Sequence, residues 1–296
     1  MGIFSNKESV TSFLANIESK NYDKAKKLVN DAIKNNTFWD LNDCNSYGWY
    51  PLIRLVKVNN IEMVNLIIEY ANKTNITLEW NVKNGNGSYP LLLAVGNNNM
   101  KIVQAIMDYT IEKEIFSLDV NDKDFDENYP LLEAISQNNI NMVQLLINYA
   151  TKIDTILDVK ARNKDGINSL LMSVYKNNIK MAQLIIDYAT KHSIIFDINE
   201  KNNKKQFPLL QAVENNNINM VELIMDYANK TNVVLKYDSI DGIDIPFWIG
   251  VKNNVEMARV VKNYADDHNI IIKYSEENFT NYEIVLVFKE NKKVLN

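Results

Sequence analysis

The sequence is poor in residues that build chemical sites, with one cysteine and two histidines among 296 residues. Cys44 has no partner for an intrachain disulfide, which is typical of proteins in a reducing compartment. His192 and His268 lie far apart in the repeating pattern described below, so no Cys/His zinc site is expected. No apolar run reaches the length of a membrane-spanning helix. These shortages predict a cytoplasmic protein with no membrane contact, no metal and no cofactor.

The glycines and the charged residues do not form the motifs that bind phosphate, calcium or nucleic acid. Only 8 glycines are present, and none follows a strand-like segment with the spacing of a phosphate-binding loop. The acidic stretch Asp122–Asp126 lacks the central glycine and closing glutamate of a calcium loop. The 32 basic and 37 acidic residues give a net charge of -5 and no basic surface of the kind that binds nucleic acid. We therefore expect no catalytic residues, no enzyme activity and no nucleic-acid partner.

A short motif returns every 38 to 40 residues along the chain. In its clearest form an aromatic residue is followed by proline and leucine, as at Tyr89–Leu91. The middle residues of the six copies are Pro51, Pro90, Pro130, Ser169, Pro208 and Pro246. A period this regular is typical of a stack of similar units, not of a domain with one central core.

Each copy has the same internal order, which the repeat from Pro90 illustrates. Proline at the first position of a helix loses no hydrogen bond, and the apolar residues after it predict a helix of about two turns. Asn98 and Asn99 predict the end of that helix and the N-cap of a second one. The second helix carries a wide apolar face up to a closing Tyr109. The β-prone segment Ile115–Val120 predicts an extended stretch that leads to a turn.

This order resembles that of the ankyrin repeat. The family's Thr-Pro-Leu-His opening corresponds to Tyr89–Leu92, its Gly-His to Asn98–Asn99, and its Ile-Val-x-x-Leu-Leu helix to Met142–Leu146. Its Asp-x-x-Gly turn is kept best at Lys164–Gly166. The resemblance covers most of the chain. It implies a mainly α fold, an ankyrin-like helical repeat solenoid with short β-hairpin or turn fingers.

Two departures from the family change the expected details. The repeats are about 39 residues long against the usual 33, and the extra residues follow the second helix, which predicts one to two further helical turns there. Tyr89 and its counterparts replace the family's threonine, so apolar packing is expected where the family makes hydrogen bonds. An all-helical solenoid of helix pairs is the alternative fold, since its periods of about 34 to 47 residues include this one.

The repeats predict how the chain is organised. A single solenoid is expected over residues 1–296, with an N-terminal capping repeat in 1–45, six central repeats in 46–274 and a truncated C-terminal capping unit in 275–296. Atypical, more polar end repeats of this kind close the exposed faces of a stack.

Positions that differ between repeats predict where a partner binds, because packing positions stay alike. In the first helix, the residues three, six and seven after the marker vary freely. The resemblance implies that first helices line a concave face and that the turns project from its edge as fingers. Exposed aromatic and arginine residues are favoured anchors of interfaces. The predicted partner-binding residues are Trp49, Arg54, Lys57, Leu93, Phe125, Glu133, Met172, Tyr175, Gln211 and Glu214.

The sequence thus predicts a monomeric, non-catalytic scaffold or adaptor that binds a protein partner. The alternative is a structural or drifting repeat array with no specific ligand, in which these positions vary because nothing constrains them. An enzyme would need a cluster of polar residues whose change abolishes turnover, and the sequence shows no such cluster.

Overall fold

The structure is a computed structural model that describes residues 3–44, 47–115, 118–236 and 254–270. The chain divides into two compact units, an N-terminal unit, Met1–Asp158, and a C-terminal unit, Val159–Asn296. Thirteen α-helices and no strand lie in the described residues. The predicted first helix at Pro246 and the predicted capping unit 275–296 lie outside them.

The N-terminal unit holds eight of these helices. They are α1 (Ile3–Glu18), α2 (Tyr22–Lys34), α3 (Pro51–Lys57), α4 (Ile61–Thr74), α5 (Pro90–Gly96), α6 (Met100–Glu112), α7 (Pro130–Ser136) and α8 (Ile140–Lys152). The first helices α3, α5 and α7 pack on one another in order, and so do the second helices α2, α4, α6 and α8. Each repeat therefore buries its apolar side chains against its neighbours in two parallel rows.

The C-terminal unit follows the same plan. Its described helices are α9 (Ser169–Tyr175), α10 (Ile179–Lys191), α11 (Pro208–Glu214), α12 (Ile218–Lys230) and α13 (Val255–Asp267). The first helices α9 and α11 pack together, α10 packs on α12, and α12 packs on α13. The two units thus share one construction, a short helix paired with a long one.

Both ends of a first helix have a clear chemical cause, as α5 shows. Tyr89 is extended (φ -131°, ψ 167°) and Pro90 takes the first helical position. Beyond the helix, Asn98 adopts φ 54°, a left-handed conformation that asparagine tolerates well. Asn99 then caps α6, since its Oδ1 accepts hydrogen bonds from two backbone N–H groups of the first turn, each at 3.1 Å. The roles predicted for the double asparagine are confirmed.

The capping asparagine also joins neighbouring repeats. In the N-terminal unit, Asn139 Nδ2 donates to Asn98 Oδ1 at 2.6 Å. In the C-terminal unit, Asn217 Nδ2 donates to Asn177 Oδ1 at 2.6 Å. One residue pair therefore ends a helix, caps the next helix and bonds the adjacent repeat, which gives the abundance of asparagine at this junction a structural cause.

The second helices of the full repeats are long, with 13 residues in most and 14 in α4. The tyrosine expected to close each one lies about one turn before the end, as Tyr149 does in α8, which ends at Lys152. The helix thus continues about one turn past the tyrosine, where the longer repeat has its extra residues. The predicted lengthening is confirmed.

The hydroxyls of Tyr70 and Tyr227 bind the loop that precedes their own helix pair, whereas that of Tyr149 bonds to Thr110 on α6 at 2.8 Å. Tyr70 Oη accepts from the backbone N–H of Trp39 at 2.8 Å and donates to the carbonyl of Thr37 at 2.6 Å. Tyr227 Oη accepts from the N–H of Phe196 at 2.9 Å. The loop backbone finds its partners in side chains rather than in a neighbouring strand. The β-prone segments therefore remain loops wherever they are described, and the fingers are turns.

The aromatic residue before the proline is buried, but it does more than pack. The hydroxyl of Tyr50 donates to the carbonyl of Glu79 at 2.9 Å, and that of Tyr89 donates to the carbonyl of Asp122 at 3.0 Å. Burial raises the pKa of both phenols, so both remain proton donors. The expectation that apolar packing replaces the family's hydrogen bonds here is wrong, because the longer tyrosine carries its hydroxyl to the loop of the following repeat.

Candidate partner-binding surface

Four of the fingers in the described residues are five-residue turns, each organised by one side-chain oxygen. In the finger of residues 124–128, Asp124 Oδ1 accepts from the N–H groups of Asp126 at 2.9 Å and Asn128 at 2.8 Å. The same position is held in the other fingers of this type by Asn84, Asn163 and Asn202. The Asp124 carboxylate therefore shapes the turn. Within the described part of the chain, no group of three or more side chains is arranged to hold a metal ion.

A cation at the base of one finger bonds to the next finger in both units. In the N-terminal unit, Lys83 Nζ lies 2.6 Å from Asp122 Oδ1. In the C-terminal unit, Arg162 pairs with Glu200 and donates to the carbonyl of Lys201 at 2.8 Å. These bonds fix the fingers relative to one another within each unit, so a partner would meet a surface that is already ordered.

Phe125 lies at the tip of its finger with 60% of its surface exposed. Its backbone N–H donates to the carbonyl of Asn86 at 3.2 Å, which holds it against the preceding finger. Gly87 in that finger has φ +76°, and a Cβ there would lie 2.6 Å from both Phe125 N and Phe125 Cδ1. Only glycine allows this approach, and the approach presents the Phe125 ring to solvent.

On α3, two cations surround one indole. Lys57 Nζ lies 4.4 Å and Arg54 Cζ 5.8 Å from the centroid of the half-buried Trp49 ring. Arg54 also forms an ion pair with Glu18, and Lys57 is exposed. The structure therefore brings three of the predicted residues together, with Lys57 as the most accessible charge.

The next two first helices carry different chemistry. On α5, Leu93 is half-buried and Gly96 is exposed. On α7, Glu133 Oε1 accepts from Gln137 Nε2 at 2.9 Å. A Cβ on Gly96 would lie 3.8 Å from Glu133 Oε1, so these positions are neighbours. We call Arg54, Lys57, Leu93, Gly96 and Glu133 the first-helix face of the N-terminal unit.

In the C-terminal unit, a chain of side-chain hydrogen bonds joins the corresponding positions. Tyr175 Oη accepts from Asn202 Nδ2 at 2.8 Å and donates to Gln206 Oε1. Gln206 Nε2 donates to Gln211 Oε1 at 3.2 Å, and Gln211 Nε2 donates to Asn215 Oδ1 at 3.0 Å. Gln211 is only 8% exposed. Tyr175 and Gln211 thus bind α9, α11 and the intervening finger to each other.

Met172 and Glu214 are the remaining predicted residues of this unit. Met172 is half-buried on α9, and Glu214 is exposed at the end of α11. Partial burial raises the pKa of the Glu214 carboxyl above its ordinary value, and a hydrogen bond from Gln206 lowers it by a smaller amount. Glu214 therefore belongs to the edge of the same polar network.

Sequence variation misses one structural role on the first helices. Asn97 Nδ2 donates to the carbonyl of Val56 at 2.9 Å, and Asn215 Nδ2 donates to that of Val174 at 2.8 Å. Each closes the carboxyl end of the preceding first helix, where carbonyls lack intrahelical partners. Gln137 at the same position donates to the carbonyl of Gly96 at 3.4 Å, and the position also holds Val58 and Lys176, so it varies although three of its members have a fixed task. The recurrence of asparagine there was the available signal.

Comparisons with known proteins agree with this geometry. Residues 75–156 match the family of ankyrin repeats in three copies. The structure is similar to the crystal structure of the ankyrin repeat domain of Bcl-3, a unique member of the IkappaB protein family, with 18% identity and a TM-score of 0.59. That similarity covers 82% of this chain and 99% of the other, and at this identity it shows the fold alone. No curated protein matches the chain.

The expected fold class is thereby confirmed as a helical repeat solenoid with turn fingers. None of the described helices is both long and apolar enough to cross a membrane. The described chain repeats one unit, a short helix paired with a long helix and followed by a finger. Residues 75–156, which match ankyrin repeats, have this organisation. The described helices thus have the fold of an ankyrin repeat solenoid.

Proposed function

We propose that the chain is a non-catalytic adaptor that binds a protein partner through its first helices and fingers. Ankyrin repeats generally mediate protein–protein interaction, and the exposed Phe125 ring carries the proposal for this chain. Phe125 is a large apolar side chain that is 60% exposed on an ordered finger, so its burial by a partner would stabilise a complex. Aromatic residues in such positions are common anchors of interfaces.

The first-helix face of the N-terminal unit supports the same proposal. Its charged and apolar groups lie on helices that begin at a proline and whose C-cap N–H groups bond to carbonyls of the same helix, so none of these side chains is needed to cap its helix. An ordered frame lowers the entropy that binding costs, because little has to be immobilised when the partner arrives. We propose a cytoplasmic monomer for the free protein, in keeping with its single exposed Cys44.

Affinity capture from the lysate of the source cells tests this function. The face variant carries Lys57→Ala, Leu93→Ala and Phe125→Ala, and we expect it to recover at least about tenfold less of a partner than the native chain. The matched control carries Asn65→Ala, Lys101→Ala and Asn141→Ala, three exposed positions on second helices of the same unit. Circular dichroism establishes that both variants are folded.

Two outcomes would contradict the proposal. If the face variant retains every saturable partner, the first helices and fingers of the N-terminal unit are not the binding surface. If the native chain has no saturable partner at all, the repeats serve a structural role. The polar network of Tyr175, Gln206 and Gln211 favours a structural role for the first helices of the C-terminal unit in particular, because its groups bond to each other.

A further inference from the structure

The first-helix face of the N-terminal unit changes chemistry from one helix to the next. On α3 it presents Lys57, with Arg54 beside it paired to Glu18. On α5 it presents Leu93 and Gly96, and on α7 it presents Glu133. The hydrogen-bond partner of the Glu133 side chain is the neutral Gln137, so this contact does not cancel the negative charge of the carboxylate. The face therefore runs from positive through apolar to negative across three consecutive helices.

Gly96 is unexpected at the centre of this face. Glycine in a helix costs up to about 1 kcal/mol relative to alanine. The backbone of Gly96 is helical, and the nearest atom to an added Cβ would be Glu133 Oε1 at an ordinary contact distance of 3.8 Å. Neither conformation nor packing requires glycine here. The carbonyl of Gly96 accepts from Gln137 Nε2 at 3.4 Å, and the missing side chain leaves exposed helix surface beside Leu93 that another backbone can approach closely.

The spacing of the charges sets the length of a matching ligand. Helices α3, α5 and α7 are in direct contact, and packed helices lie about 8–10 Å apart. The distance from α3 to α7 is therefore about 16–20 Å. An extended chain covers about 3.3 Å per residue, so about five or six residues reach from the Lys57 side to the Glu133 side.

We propose that this face binds an extended segment of a protein partner with an acidic end, an apolar centre and a basic end. The acidic end lies at Lys57, small apolar side chains lie over Leu93 and Gly96, and the basic end lies at Glu133. Charge complementarity fixes the placement of both ends, since like charges brought together at an interface oppose binding. The proposal rests on the proposed function and adds the chemistry of the partner.

Fluorescence anisotropy with the full chain and three synthetic peptides of about eight residues tests the proposal. The first has glutamates at one end, leucine and valine in the centre and lysines at the other end. The second has glutamates at both ends, and the third has lysines at both ends. We expect the first peptide to bind at least about fivefold more tightly than either of the others at physiological ionic strength.

Two variants sharpen the test, and a third serves as control. Glu133→Lys should reverse the order, so that the peptide with two acidic ends binds more tightly than the mixed one. Gly96→Gln should weaken the mixed peptide about tenfold, because its side chain covers the backbone that the ligand approaches. Glu222→Lys makes the same charge change at an exposed position on α12 of the C-terminal unit and should leave the preference of the native chain unchanged.

Equal binding of the three peptides, no binding below about 1 mM, or an unchanged preference in Glu133→Lys would each overturn the proposal. These failures differ from failure of the proposed function. If the face variant loses its captured partner but the peptides show no preference, the chain binds its partner through this face by other chemistry. A chain whose face variant keeps the partner does not use the face at all.

Discussion

The first helices of the two units share one backbone plan and use their side chains differently. In the N-terminal unit, Lys57 and Glu133 have opposite charges and flank the Leu93 and Gly96 positions. In the C-terminal unit, Tyr175 and Gln211 are linked through Gln206, and Gln211 is 8% exposed. Positions equivalent in the repeat thus present a mixed-charge surface in one unit and an internal hydrogen-bond network in the other.

The difference shows that variation between repeats has two causes. Glu133 and Gln211 both lie three residues after the marker, yet only Gln211 is buried and bonded to polar side chains on both sides. A variable position is a candidate for recognition only where the neighbouring repeat has not already used its side chain.

The fingers should differ in their tolerance of alanine. Gly87→Ala in the N-terminal unit should lower the free energy of unfolding by about 3 kcal/mol, because φ is +76° and the new Cβ would meet the Phe125 backbone at 2.6 Å. Gly166→Ala in the C-terminal unit should cost about 1–2 kcal/mol. Its φ of +79° is equally unfavourable, but its closest contact is the far end of the Arg162 side chain, which can move.

Urea denaturation of the two variants and the native chain measures this difference. Equal decreases in the free energy of unfolding in both variants would mean that the left-handed backbone alone causes the destabilisation. A smaller loss for Gly87→Ala than for Gly166→Ala would contradict the contact between Phe125 and the preceding finger.

The matched pair Gln211→Ala and Glu133→Ala should separate the two faces directly. Gln211→Ala removes a buried side chain and the hydrogen bonds that it makes with Gln206 Nε2 and Asn215 Oδ1, and it should destabilise the chain by about 1–2 kcal/mol. Glu133→Ala removes an exposed contact with Gln137 and should change stability by no more than about 0.5 kcal/mol. Thermal unfolding followed by circular dichroism gives both values, and equal losses would show that the two faces do not differ in structural use.

The smallest effect is expected in the pH dependence of stability. The folded-state pKa of Glu214 is raised, chiefly by burial, so folding favours its protonated form. Its stabilising contribution is present below the pKa of the unfolded state and is lost as pH rises through the raised folded value. Glu214→Gln should remove the part of the pH-dependent loss of stability that is due to this carboxyl. Denaturation midpoints of both proteins between about pH 4 and 6 should converge at the acidic end, and parallel curves would refute the assignment.

Much of the fold follows from short stretches of sequence. Pro90 fixes the start of α5, and Asn98 with Asn99 fixes its end and the start of α6, because each acts on the backbone within a few residues. The additional turn of the second helix follows from the length of the repeat. Where the structure describes them, the extended segments are loops and not strands, since their backbone groups bond to side chains such as Tyr227 from another repeat.

The candidate surface was less accessible to sequence reasoning. Variation between repeats predicts a binding role for Lys57 and Gln211 alike, and nothing in the sequence of either repeat separates the exposed residue from the buried one. The roles of Asn202 and Gln206 in the network also went unpredicted, although an asparagine or aspartate recurs at the position of Asn202 in each finger of this type. A hydrogen bond between side chains 27 to 31 residues apart depends on how two repeats are packed.

The period of the repeat, the starts of the helices and the residue types at each junction follow from the sequence, because proline, asparagine and apolar spacing act locally on the backbone. Which polar side chains are already paired depends on how the repeats stack. Tyr70 reaches a loop 31 to 33 residues away, and Asn215 reaches a helix end 41 residues away. Such partners are brought together by stacking, which buries some variable positions and leaves Lys57, Phe125 and Glu133 at the surface.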